Sequence, residues 1–380
     1  MSPTRIKLCL ETMKFIRFFQ FLAVLSLILA SCNPYQIEIP SYDQNNNKPG
    51  NEDTTTPETG NGEDDTYPVK YPAPTTTKVK TLLTSNFFTE TKIKEGITLY
   101  SAEKKTCEVT KAKQTVFVLE VDLNNPDYKI NFLKTTNNVV SEIGKANKAI
   151  AAINACYEAD ATYVRTNGYN HPEYTITLDP DHLRFWKHEA AIVGDGKRKV
   201  GIVHGAKGAK NIKEGGIQAK KMYPELTERN IFSSSPMLID DYDPVGSRFV
   251  PYPFSEYTDS QLKSSSLGLD GEDYRRHQGV RHPRVAVALT DDNDLLFVVV
   301  DGRFSGKAEG MDADELTRFL VKHFNPRWAI NMDGGGSSTM YLQGYGDPKN
   351  NVLNYPCDNS TWDHEGERAR PTVFLVQYDE

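Results

Sequence analysis

Three consecutive glycines, Gly334 to Gly336, stand directly behind the apolar run Trp328–Met332 and directly before Ser337-Ser338. Glycine gives up more backbone freedom on folding than any other residue, so three in a row at the end of a buried segment are costly. They must serve a close approach that a Cβ would block. A plain turn between strands would need only one or two, with Asn or Ser. Flanked by Asp333, Ser337 and Ser338, the triglycine suits a backbone whose N–H groups converge on an anion, with the two hydroxyls as further donors.

The residues before it can be folded on paper. Val285–Leu289 and Leu295–Val300 are apolar runs of strand length separated by Asp291-Asp292-Asn293-Asp294, which predicts an antiparallel hairpin. Arg284 then lies beside Asp301-Gly302-Arg303. Leu316, Phe319, Leu320 and Phe324 recur at helical spacing, and Asp312 with Glu315 gives a capping-box start, so a helix is expected over 314–324. Strand, helix, strand predicts a crossover with both strands parallel. Asp301 and Asp333 consequently share one sheet edge, with Arg284, Arg303, Gly334, Gly335, Gly336, Ser337 and Ser338. His282, two residues before Arg284, is placed to reach the same ligand.

Two arginines and a nest of amides neutralise phosphate, and the Asp301 and Asp333 carboxylates can activate water or stabilise positive charge. If the scissile bond joins a sugar C1 to a phosphate, the departing phosphate monoester scarcely needs protonation. The usual glycosidase pair of carboxylates can then relax to one carboxylate and an anion clamp. An isolated Asp-Gly-Arg is a weak signal, because Asp-Gly is also the commonest turn dipeptide.

Further strand-length runs occur at 115–123, 128–133, 149–154, 236–239 and 373–376, while convincing helices are few. The expected class is α+β, with a large mixed, strongly twisted β-sheet and a βαβ unit near the C-terminus. The stretch 240–282, rich in Tyr, Ser, Pro and charge, reads as a surface insertion. Tyr163, Tyr169, Tyr174 and Trp186 suit either core or sugar stacking.

At the other end, Lys14 and Arg17 precede an apolar run, Phe18 to Ala30, that stops at Leu29-Ala30-Ser31-Cys32. This is the pattern of a lipoprotein signal over 1–31, with Met13 a plausible start and Cys32 the lipid attachment site. Residues 32–78, rich in Asn, Thr, Pro and acid, are expected to form a disordered tether, and 79–380 one domain. Such a chain is expected in a bacterial cell envelope, lipid-anchored to the outer membrane, touching membrane only through that anchor. Loss of 1–31 removes four basic residues and one acid, taking the net charge from −7 to −10, which disfavours nucleic acid as a partner. Cys107, Cys156 and Cys357 then allow one disulfide at most.

The eight histidines lack HxH or HExxH spacing and read mostly as surface or loop residues, and there is no P-loop, dinucleotide fingerprint or nucleophile elbow. Glu158 and Asp160 could ligate a cation or simply be solvated. No cofactor is expected; the need for a divalent metal stays open.

Several blocks together resemble the phosphodiester glycosidase family: Ile153-Asn154-Ala155-Cys156-Tyr157, Ser234-Ser235-Pro236, His282-Pro283-Arg284, Val300-Asp301-Gly302-Arg303, Asn331-Met332-Asp333-Gly334-Gly335-Gly336-Ser337-Ser338 and Gly366-Glu367-Arg368-Ala369. The resemblance runs from about residue 110 onward in the family's motif order. It implies hydrolysis of a sugar 1-phosphodiester of the N-acetylglucosamine type, and adds Asn154, Ser235 and Arg368 to the expected site. Two blocks depart from the pattern. The usual Asn-Gly-Gly-Tyr/Phe-Phe stands as Asn154-Ala155-Cys156-Tyr157-Glu158, and Arg370-Pro371-Thr372 replaces the usual Val-x-Asn after Arg368. Competing readings are a noncatalytic surface lipoprotein that binds phosphorylated or acidic glycans, and a phosphodiesterase that cuts the other P–O bond.

Overall fold

The computed structural model describes residues 86–246, 248 and 270–379. The expected signal segment, Cys32, the tether and most of the insertion lie outside these residues. The strands are β1 (Thr89–Lys94), β2 (Ile97–Thr106), β3 (Lys113–Asp122), β4 (Tyr128–Asn138), β5 (Ala151–Asn154), β6 (Tyr163–Thr166), β7 (Tyr169–Thr175), β8 (Ala190–Gly194), β9 (Val200–Val203), β10 (Asn230–Ser234), β11 (Met237–Asp240), β12 (Asp243–Pro244), β13 (Arg284–Leu289), β14 (Asp294–Val300), β15 (Trp328–Met332), β16 (Met340–Leu342) and β17 (Arg370–Tyr378). The helices are α1 (Val140–Ala146), α2 (Ile212–Met222), α3 (Tyr274–Gly279) and α4 (Ala313–His323).

Three sheets result, ordered β1-β2-β3-β14-β13-β15-β11-β12, β7-β6-β10-β8-β9 and β16-β5-β17-β4. In the large sheet, Val285, Val287 and Leu289 face a core shared with the other two sheets, where Phe132, Phe232, Phe297 and Phe374 meet. Ala286 and Ala288 face the opposite side and pack against Leu316, Phe319 and Leu320 of α4. A strand buried on both faces reads as a continuous apolar run instead of an alternating one, and the small alanines let the helix come close. Asp312 caps α4 by accepting from the Glu315 N–H, while the Glu315 side chain returns to the Asp312 N–H.

The fold is α+β, as expected, but every ladder among the described residues is antiparallel, so the large sheet is not mixed in its pairing. The crossover explains how. Both β14 and β15 pair antiparallel with β13, one on each side, so they run parallel to each other with β13 between them. The register sets Arg284 opposite Val300 and Val285 opposite Met332, which brings the residues after β14 and β15 to the same edge.

Some expectations need correction. The last part of the proposed surface insertion forms α3 and is drawn inward, with Gln278 and Val280 buried. Several histidines are interior too: His188 bonds the Ala161 and Gly216 carbonyls, and His204 lies between Glu189 and Asp240. Tyr163, Tyr174 and Trp186 belong to the buried interior, leaving Tyr169 exposed. Cys107, Cys156 and Cys357 are buried free thiols.

Candidate active site

Asp333 is the first residue after β15. Its N–H donates to the Ala155 carbonyl at 2.9 Å, and its own carbonyl accepts from Asn154 Nδ2 at 2.7 Å. The other end of the Asn154 amide accepts the Thr339 N–H at 3.0 Å, so one side chain at the end of β5 staples the loop at both ends. Asn154, expected to touch substrate, therefore acts here on the loop that carries Asp333.

The Asp333 carboxylate is 5% exposed, its Oδ2 2.6 Å from Arg370 Nη2. Among the described residues no N–H aims at that oxygen with hydrogen-bond geometry, which makes the contact an ion pair. Arg370 Nε donates to Ser337 Oγ at 2.7 Å. Burial pushes the carboxyl above its ordinary range, and Arg370 and Ser337 pull it back only in part. Arg370 sits where the family pattern is departed from, and nothing in the residue spacing points to it.

Each glycine is explained by what it touches. A Cβ on Gly334 would stand 2.5 Å from the Pro283 carbonyl oxygen, and Gly335 has φ +65° with its face against Arg303 Nη2. Gly336 lies under Asp358 and Arg368. The expected amide nest is largely spent within the protein: Asp333, Gly335, Ser337 and Ser338 donate to the Ala155, Pro283, Gly334 and Gly335 carbonyls. The N–H groups of Gly334 and Gly336 are not taken by these bonds. Ser338 Oγ is buried and unbonded among the described residues.

Asp301, at the end of β14, uses both oxygens: Oδ1 accepts from Asn354 Nδ2 at 2.8 Å and Oδ2 from the Tyr355 N–H at 3.0 Å. Burial raises its pKa to about 7, against the pull of these two donors. It anchors the 354–368 segment, which then supplies Cys357 to Arg303 and the Asp358–Arg368 ion pair over Gly336. Unfolded, this carboxyl ionises near 3.8, so the native state holds its proton more tightly. Its contribution is fully present below that value and is lost as the pH rises toward 7, by up to about 4 kcal/mol. Urea unfolding of wild type and Asp301→Asn at a series of pH values is expected to show a steeper decline between about pH 4 and 7 in the wild type. Equal slopes would remove the buried acid from the account.

Arg284 is 1% exposed and committed to carbonyls: Nε to Met311, Nη2 to His277 and Val280, at 2.7–2.9 Å. Instead of clamping a ligand, as expected, it pins α3 and the Met311 turn to the start of β13. Arg303 differs. Its side chain is exposed, it touches Gly335 and the Cys357 sulfur, and no carboxylate pairs with it among the described residues. His282 lies at this end with Nδ1 buried and unbonded among the described residues, and burial with Arg284, Arg303 and Arg276 holds its ring neutral, its pKa down to about 3. The Ser235 hydroxyl is used by Glu189, and its carbonyl by Tyr157 and Asn331. Glu158 and Asp160 are not free ligands: Glu158 is paired with buried Lys187, and Asp160 with Arg184. No group of His, Cys, Asp and Glu suited to a metal occurs among the described residues.

The strand-rich α+β scaffold thus carries a buried carboxylate on a triglycine turn, beside an arginine that no described carboxylate neutralises. The chain belongs to the phosphodiester glycosidase family, whose model matches residues 147–377, and it is a hydrolase of that family. Among solved structures it is similar to the zebrafish N-acetylglucosamine-1-phosphodiester alpha-N-acetylglucosaminidase catalytic domain auto-inhibited by pro-peptide, at 16% identity over 82% of this chain and 91% of that one, with a TM-score of 0.49. It is also similar to a hypothetical protein from Synechocystis, at 13% identity over 76% of this chain and 63% of that one, with a TM-score of 0.45. No curated protein matches the sequence. These structural likenesses are too distant to assign a site residue.

Proposed function

We propose that this protein hydrolyses the bond between a sugar C1 and the phosphate of a sugar 1-phosphodiester, with an N-acetylglucosamine-like sugar. The observation that carries the reading is the pairing on one loop of opposite needs. Asp333 is a buried carboxylate held by Arg370, and a cation without a carboxylate partner among the described residues, Arg303, lies against Gly335 of the same turn. Asp333 faces developing positive charge at C1, either adding to it or drawing a proton from water. The C1–O bond breaks with its electron pair leaving on the phosphate oxygen. Arg303 and the N–H groups of Gly334 and Gly336 neutralise that leaving group. Asn154, Asp301 and Arg284 act through other residues, by holding the loop, the 354–368 segment and α3.

Hydrolysis of an N-acetylglucosamine 1-phosphodiester in ¹⁸O-labelled water tests the bond. Label is expected in the sugar hydroxyl. Label in phosphate would assign the cut to the other P–O bond, and binding without turnover would favour the glycan-capture reading.

A further inference from the structure

Beyond the Asp333 turn, cations gather on one side of the site. Lys104 Nζ and Lys307 Nζ lie 5.5 and 5.2 Å from the centre of the Trp362 ring. Neither ammonium forms an ion pair among the described residues, and Arg303 lies one residue from Phe304, whose ring meets Trp362 edge-on at 5.0 Å. Acidic side chains outnumber Lys and Arg in this chain, 51 to 44, so two such ammonium groups beside one indole run against the general trend.

The arrangement is built. Thr115 Oγ1 accepts from the Lys104 N–H at 3.0 Å and donates to the Lys307 carbonyl at 3.2 Å, tying both lysine backbones to one side chain. Lys104 holds φ +52°, the left-handed region. Trp362 is stacked on Tyr355, centroids 3.9 Å apart and planes 11° apart, and the Tyr355 N–H is the one that holds Asp301. Of the nearby carboxylates, Glu103 accepts from the Tyr355 hydroxyl, Glu309 from the Gly306 N–H, and Asp363 from Asn359 and the Glu365 N–H, and no ion pair joins any of them to either lysine among the described residues. Two ammonium groups beside one indole ring, neither paired with a carboxylate among the described residues, leave a place for an anion.

We propose that Lys104, Lys307 and Trp362 form a subsite for a second anionic group, carried on the aglycone of the sugar phosphodiester beyond the scissile phosphate. The inference rests on the hydrolytic reading above and narrows its substrate class to phosphodiesters whose alcohol bears a further phosphate, sulfate or carboxylate.

Two substrates with the same scissile bond test it: the ethyl and the 2-phosphoethyl diesters of N-acetylglucosamine 1-phosphate. The full chain is expected to favour the 2-phosphoethyl diester in kcat/KM by about ten-fold at low salt. In the Lys104→Gln/Lys307→Gln double variant that preference is lost through KM, with the ethyl diester unaffected. An unchanged preference, or equal losses on both substrates, overturns the subsite. Binding gives a readout independent of turnover. The 2-phosphoethyl diester should quench tryptophan fluorescence of the Asp333→Asn protein, weakening with added salt, and the quench should vanish with Trp362→Phe. If wild type hydrolyses neither diester, the hydrolytic reading fails. The subsite then stands if quenching needs both lysines, and falls if the two diesters bind alike.

Discussion

Asp333→Asn is expected to lower kcat on an N-acetylglucosamine 1-phosphodiester by about 10²–10⁴-fold, the range removed with a positioned acid–base group, and to leave KM nearly unchanged. Asparagine keeps the shape, and the Asn154 staple uses the backbone at residues 333 and 339, so the triglycine turn has no reason to move. What is lost is the negative charge. Burial already disfavours that charge, and its removal relieves desolvation while depriving Arg370 of its counter-ion. These effects oppose each other, and thermal unfolding is expected to change little. The acid limb of the wild-type kcat/KM profile should lie above the ordinary carboxylate range, because the ionised form acts and burial raises the pKa. Activity is then lost as the pH falls through that raised value. Turnover by the Asp333→Asn variant at near the wild-type rate would remove Asp333 from the chemistry.

The carboxylate and its loop were readable in the sequence because they rest on local pattern. Apolar runs bounded by a turn gave β13, β14 and β15, the capping box gave α4, and chain direction then placed Asp301 and Asp333 on one edge. The expectation of a lipid anchor at Cys32, which lies outside the described residues, rests on such a local pattern alone. The five-stranded sheet was not legible. Its strands β6, β8 and β9 are four or five residues long, and β7 is largely polar and exposed, so neither period nor length marks them. The partners of the site were hidden for another reason. Arg370 meets Asp333 only because β17 pairs with β5, setting Val373 opposite Asn154. Asn354 and Tyr355 reach Asp301 from a segment without regular structure. Arg284 reads as a free cation in sequence, since its partners are backbone carbonyls, which every residue possesses.

Arg370→Met is expected to move the acid limb of kcat/KM upward, because the adjacent arginine holds the Asp333 carboxylate down. Arg370 is the largest of the influences that lower the Asp333 pKa, and it also donates to Ser337, which lowers it too. Without it, burial acts with little opposition. Below the wild-type acid limb the variant should lose about 10- to 100-fold in activity, recovering in part as the pH is raised, which a merely destabilised protein would not do. Stability should fall with the opposite dependence. Breaking a buried ion pair costs about 3–5 kcal/mol when the remaining group stays charged, but protonation of Asp333 relieves the cost at low pH. Urea unfolding should therefore show the deficit growing as the pH rises. Arg370→Lys separates charge from geometry. It restores a cation near Asp333, and with it most of the position of the acid limb, but the Nε bond to Ser337 is absent and kcat should stay below wild type. If both variants keep the wild-type limb, the Arg370–Asp333 pair has no part in setting the charge of the reacting carboxylate.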